Sequence, residues 1–170
     1  MSIIGDIRTT IDKTSKLIKG LEFIKDSDVL VGIPQKKNKR EDGEEVTNSE
    51  LLFIHTKGSP INNIPARPVI EPAIEDDSER LSKMLKDAAN SAMDGNEEDA
   101  IKKLRLTGMR GQNVSRAWFT NPKNNWPPNV PSVEKAKREK GSTDPKPLID
   151  TGELRKSITY VIEKKGERVE

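Results

Sequence analysis

The sequence predicts an α+β fold: a small antiparallel sheet packed by an N-terminal helix and a long helical hairpin, with a long proline-rich loop before the last strand. Three patterns carry this expectation. Apolar residues recur at spacings of three and four at the start of the chain and again from Val69 to Phe119. Two β-branched runs, Asp28–Pro34 and Ser157–Glu163, have strand length and strand composition. Prolines crowd the stretch from Asn121 to Pro147.

The first helix is predicted over Ser2–Ile24. Ile3, Ile4, Ile7, Ile11, Leu17, Ile18 and Leu21 form one apolar stripe, Ser2 can cap it, and Asp6 sits in the early turns where negative charge is favoured. Such a stripe needs a surface, either the domain's own sheet or a partner helix. Asp28-Val-Leu-Val-Gly-Ile-Pro34 reads as a buried strand stopped by proline. Residues 35–45 hold no apolar side chain and are expected to form a mobile loop. Lys36, Lys37, Lys39 and Arg40 give its start a basic cluster, which either solubilises the loop or reaches toward nucleic acid or an acidic neighbouring subunit. Asn48–His55 fits a strand or a short helix, and periodicity alone does not decide. In Ile64-Pro-Ala-Arg-Pro68, Pro65 and Pro68 flank Ala66-Arg67 and force a stiff, extended link. A stiff link costs little entropy to order, which suits a docking element.

Helical spacing runs from Val69 to Met93 and from Glu97 to Phe119, with Asp94-Gly95-Asn96 as the turn between. The Thr107–Gly111 stretch, with two glycines, is a candidate break. Glu75–Asp99 is strongly acidic and Lys102–Arg116 is basic, with Lys102, Lys103 and Arg105 at its start. The bland reading of these blocks is two solvated helix faces; the sharper one is charge pairing between copies, or contact with a phosphate backbone. Residues 121–147 are expected to extend as a loop with a helical turn near Ser132–Lys140, Trp126 being a plausible anchor. Thr151 can cap one helical turn ahead of the final half-buried strand over Ser157–Glu163.

Composition narrows the function. Of 170 residues, 32% are hydrophobic and 34% charged, which allows one domain spanning 1–170 with a thin core. A thin core in a chain this long implies apolar surface buried only against partners. A net charge of +2 argues against a dedicated polyanion binder. The chain has no cysteine and one histidine, His55. Thiolate chemistry is thereby excluded, and a zinc site would have to be mostly carboxylate. Asp76 and Asp77 are adjacent on a helix and point about 100° apart, so they do not converge on one cation. There is no phosphate-binding glycine loop and no nucleophile elbow. The expectation is a chain that is not an enzyme and holds no cofactor and no metal. Charges within Met1–Leu21 exclude a signal-peptide core, and no apolar run has spanning length, so the chain is expected to be cytoplasmic where it is made, without membrane contact.

Three motifs in order carry a resemblance: Asn48-Ser-Glu-Leu-Leu-Phe-Ile-His55 followed by Gly58-Ser59; Ile64-Pro-Ala-Arg-Pro68 continuing Val-Ile-Glu-Pro-Ala73; and Pro147-Leu-Ile-Asp-Thr-Gly-Glu-Leu-Arg-Lys-Ser-Ile158 with the strand after it. Together, over roughly Asp28–Ile162, they resemble the neck and tail-completion proteins of tailed bacteriophages, the virion morphogenesis type of minor tail component. The chain carries Thr56-Lys57 where such proteins often have an acidic and then an aromatic residue.

The resemblance implies a virion protein made in the bacterial host cytoplasm and built into the head–tail junction. It implies a homo-oligomeric ring against head-connector and tail-terminator or tail-tube proteins, with non-specific contact to packaged DNA. His55, Pro65, Arg67, Pro68, Trp126, Asp150, Gly152 and Leu154 become the interface or structural candidates, and the basic residues named above the candidates for facing DNA or a partner. A tail terminator or head-closure protein, and more remotely a nucleic-acid-binding module, are the competing readings.

Overall fold

The computed structural model describes residues 3–40 and 45–168, with the side chains of the first helix described from Lys13 onward. Ser2 as a cap, Asp6, the Ile3–Ile11 part of the apolar stripe and residues 41–44 of the predicted mobile loop lie outside the described residues.

In chain order the elements are α1 (Ile3–Lys25), β1 (Ser27–Gly32), α2 (Asn48–Lys57), α3 (Ile70–Asp76), α4 (Ser78–Met93), α5 (Glu97–Trp118), α6 (Pro131–Glu139), α7 (Glu153–Ser157), β2 (Thr159–Lys164) and β3 (Glu167–Arg168), with 3-10 turns at Gln35–Lys37, Pro60–Asn62 and Pro122–Asn124. The strands form one antiparallel sheet in the order β1-β2-β3, which makes the fold α+β as the sequence predicts. The chain divides into two compact units, one from the described parts of 1–30, 78–110 and 161–170, the other from those of 31–77 and 111–160.

In the first unit α1 packs on α4. Gly20 makes the approach possible: a Cβ there would lie 2.6 Å from the Ala92 carbonyl oxygen and 2.7 Å from the Met93 Cα. Ala88 and Ala92 of α4 are buried, as are Ala100 and Leu104 of α5. Phe23 is buried too, with the Lys164 ammonium 4.9 Å from its ring centre. Lys164 also pairs with Glu97. The described part of the predicted stripe does not pack on the domain's own sheet: Leu17, Ile18 and Leu21 are 47%, 52% and 57% exposed. The reason is rotational. Leu21 stands about 100° around the helix from Gly20, so the close seam against α4 leaves the leucine flank outside it.

The α4–α5 hairpin turns at Gly95 (φ +79°), and Asn96 Oδ1 accepts from the Asp99 amide at 3.1 Å, capping α5. Lys103 donates to Ser91 Oγ at 2.6 Å and pairs with Asp99 at 2.7 Å, while the Ser91 hydroxyl donates to Asp99 at 2.7 Å. A polar knot therefore stitches the hairpin.

Two helix boundaries differ from expectation. The helix predicted over 69–93 is two, ending at Asp76 and restarting at Ser78. The break predicted at Thr107–Gly111 is absent. Gly111 instead serves packing in the second unit, because a Cβ there would meet Val31 at 2.8 Å and Ile74 at 3.3 Å. Close approach offsets the roughly 1 kcal/mol a helical glycine costs. β1 is half-buried rather than buried, Leu30 being 46% exposed, because alternate side chains of the strand point away from the covered face.

The core of the second unit is Val69, Ala73, Trp118, Phe119, Leu154 and Ile158. Fully burying side chains such as Val69, Phe119 and Ile158 contributes about 1.5–3 kcal/mol each. Arg116 reads the end of α7, donating to the carbonyl oxygens of Ile158 and Lys156, each at 2.9 Å. Ser157, placed by sequence in the last strand, belongs to α7, and its hydroxyl donates to Leu154 O at 2.7 Å. β2 then runs into a hairpin that the sequence reading missed. Lys165 (φ +54°) and Gly166 (φ +75°) supply the two left-handed positions of the turn, and Glu163 faces Arg168 across it.

Candidate functional site

All three motifs that carry the resemblance meet at one cleft in the second unit, with a volume of about 570 Å³. His55, Pro65, Arg67, Asp150, Gly152 and Leu154 line it, joined by Arg40 from the basic cluster. Pro68 and Trp126 are not among its lining residues.

The first wall is α2. Thr47 caps it with a reciprocal capping box: its hydroxyl accepts from the Glu50 amide, and the Glu50 carboxylate accepts from the Thr47 amide at 2.9 Å. The Thr47 amide and the Thr47 hydroxyl, which donates to the same carboxylate oxygen at 2.7 Å, hold the Glu50 carboxyl pKa below its ordinary value. Asn48, buried, donates from Nδ2 to Glu153 Oε1 at 3.1 Å and to Lys37 O at 3.3 Å. Asn38 accepts from the Asn48 amide at 2.9 Å and, through Oδ1, from the Ser49 amide at 2.8 Å. The described start of the basic loop is thus tied to the N-terminus of α2, with Lys36, Lys37 and Lys39 exposed.

The second wall is the extended link. The Arg67 amide donates to His55 O at 2.6 Å, fixing the link to the end of α2. The buried Arg67 side chain donates from Nε and one terminal nitrogen to Pro127 O, at 3.1 and 2.9 Å, and to Pro128 O at 3.0 Å. Burial pulls its pKa down. Trp126 donates from Nε1 to Pro68 O at 3.1 Å, and its ring meets Phe119 edge-on at 5.8 Å and 85°. Trp126 is therefore an anchor within the chain's own second unit.

The third wall comes from α6 and the 148–154 segment. Lys137 donates to Lys146 O at 2.7 Å and to Ile149 O at 2.5 Å, pinning the loop back on the helix. Burial lowers the Lys137 pKa, and Asp150 opposes that shift. Asp150 is exposed and pairs with Lys140 at 3.3 Å. Gly152 at φ +78° begins α7, and the Thr151 hydroxyl accepts from the Glu153 amide at 3.3 Å. Leu148 holds a left-handed conformation, φ +58°, without being glycine. Such a residue costs about 1–3 kcal/mol and persists only where its surroundings fix it.

The charges of the cleft act as latches. Arg67 and Lys137 direct donors at backbone carbonyls, and Asn48 and Glu153 bridge two walls. His55 Nδ1 is buried without a hydrogen-bond partner. Burial, and secondarily the charge of Arg67, lower its pKa, so the ring is held neutral. The wall residues Asn48, Lys137 and Glu153 were not singled out by sequence reasoning, and no periodicity marks them.

Lys102, Lys103 and Arg105 lie on α5 in the first unit. Lys103 is engaged with Asp99 and Ser91, while Lys102 and Arg105 are exposed. Among the described residues no group of three or more His, Asp or Glu is placed to hold a metal ion, and no helix is long and apolar enough to cross a membrane. Comparison with known proteins finds no matching family model, no matching curated protein and no matching solved structure.

Proposed function

We propose that this chain is a structural virion protein, a neck or tail-completion subunit that takes part in a homo-oligomeric ring at the head–tail junction of a tailed phage or phage-like particle. One observation carries the assembly reading. Among the described residues, twelve large hydrophobic side chains are exposed, against nine hydrophobic residues larger than alanine that are buried. Single exposed apolar residues are ordinary, but here they group: Leu17, Ile18 and Leu21 along one flank of α1, and Val46 beside Phe53 on α2. A surface of that kind is stabilised by being covered.

The position in the particle rests on the sequence motifs, whose meeting at one cleft supports reading them as one structural device. In this reading the cleft is a keystone. It holds α2, the proline link and the α6–α7 segment in fixed register so that outer faces present the same shape to each neighbour. Rigid elements lose little entropy on assembly. Head-connector and tail-terminator or tail-tube proteins are the expected neighbours, and the exposed Lys36, Lys37 and Lys39 suit non-specific contact with DNA.

Electron microscopy of particles made without the gene tests the proposal. Separate full heads and finished tails are expected. Abnormally long tails would move the chain to the tail-terminator role, and leaking heads to head closure. Normal joined particles would end the reading.

A further inference from the structure

We propose that the outward apolar stripe of α1 pairs in antiparallel order with the same stripe of a second copy of this chain. The inference goes beyond the head–tail reading and rests on α1 itself.

α1 has two faces. Gly20 and Phe23 stand on the covered one: a Cβ on Gly20 would lie 2.6 Å from the Ala92 carbonyl oxygen, and Phe23 is buried. At about 100° per residue, Ile18 and Leu21 fall on the other side of the helix. They are 52% and 57% exposed. In sequence these two end a run of six positions, Ile4, Ile7, Ile11, Thr14, Ile18 and Leu21, separated by three and four residues in turn. The helix is continuous over all of them, from Ile3 to Lys25. Alternating steps of three and four, apolar at every place but Thr14, are the pattern that a second helix fills, knob into hole.

The two edges of the stripe select a second copy and its direction. By register one edge carries Ile3, Leu17 and Ile24, and the other carries Arg8 and Glu22. In a parallel pair each edge meets the opposite edge of its partner, apolar against charged. In an antiparallel pair like edges meet, apolar on apolar, with the Arg8 end of one copy toward the Glu22 end of the other. Charge along the helix agrees. Ile3–Asp12 holds two carboxylates and one guanidinium, whereas Lys13–Lys25 holds four ammonium groups and one carboxylate. Parallel order sets the basic halves side by side; antiparallel order sets each basic half against an acidic one.

The register follows. With Ile7 opposite Ile18 of the partner, Ile4 faces Leu21 and Ile11 faces Thr14, so no layer pairs two threonines. The contact is two-fold. It closes with two copies and leaves the remaining faces free for a ring.

The chain contains no cysteine, so single cysteines report the register. Full-length copies carrying Ile7→Cys are mixed with copies carrying Ile18→Cys in a glutathione redox buffer. The mixed pair is expected to form its disulfide at least about tenfold faster than either variant alone. Ile18→Asp and Leu21→Asp, both at exposed positions, should each weaken self-association in sedimentation at least about tenfold, with the urea midpoint unchanged. Arg8→Glu should weaken it too, and adding Glu22→Arg to the same chain should restore it. Faster linking of each cysteine variant with itself would mean parallel order and overturns the proposal. So does self-association of Ile18→Asp equal to wild type, which leaves the stripe outside the contact. A wild-type chain that stays monomeric at its highest soluble concentration overturns it as well; binding of that monomer to phosphatidylserine vesicles would assign the stripe to a lipid surface instead.

Discussion

The guanidinium of Arg67 grips the carbonyl oxygen of Pro127 with two nitrogens, at 3.1 and 2.9 Å, across sixty residues of chain. A third bond reaches Pro128 at 3.0 Å. One planar cation thus holds the mouth of the proline-rich loop against the proline link. Lysine offers a point charge without the fork. Arg67→Lys should therefore destabilise the fold by about 1–3 kcal/mol, the loss of charge-assisted hydrogen bonds made by a buried side chain. A lower urea midpoint at unchanged slope is the expected signature. An unshifted midpoint would show that the clamp contributes nothing.

His55 predicts a pH dependence. Its folded pKa lies below the ordinary imidazole value near 6.5. Below that value the unfolded chain takes up a proton that the folded chain refuses. Stability from this residue is therefore full above pH 6.5 and is lost as the pH falls toward the folded pKa. His55→Gln should flatten the stability slope just below about pH 6.5. The measurement is denaturant unfolding at several pH values; an identical slope in wild type and variant would contradict the burial argument.

Gly20 and Gly32 make a matched pair. A methyl group on Gly20 would press on the α4 backbone at 2.6–2.8 Å, whereas at Gly32 it would meet nothing within 4 Å. Gly20→Ala should cost about 1–3 kcal/mol through overpacking, and Gly32→Ala should be close to neutral. Hydrogen exchange in α1 should rise in the first variant alone.

Trp126→Phe removes the bond to Pro68 O and keeps most of the ring contact with Phe119. The expected loss is about 1 kcal/mol, the usual net worth of one such bond. Thermal unfolding followed by the fluorescence of Trp118, the other tryptophan, reports it. Trp126→Ala should cost more, because the aromatic packing goes as well.

Much of the architecture was legible because local chemistry decides it. The 3.6 period marked α1, α4 and α5, the β-branched run over Ser157–Glu163 marked β2, and Gly95 marked the hairpin turn. Two elements carry local signals other than periodicity. Thr47-x-x-Glu50 is a capping box, which decides Asn48–Lys57 as a helix where periodicity left strand or helix open. Lys165-Gly166 between polar strands is a hairpin turn.

What the sequence by itself determined was the long helices, the two strand runs, the stiff connectors and a thin core. Those follow from backbone preference and composition, which act over a few residues. The tertiary structure alone decided which flank of α1 is covered, because that depends on how closely Gly20 lets α4 approach. It alone decided that Asn48 meets Glu153 across 105 residues to close the cleft. Contacts between distant segments depend on the position of each segment in space, and no local pattern encodes that.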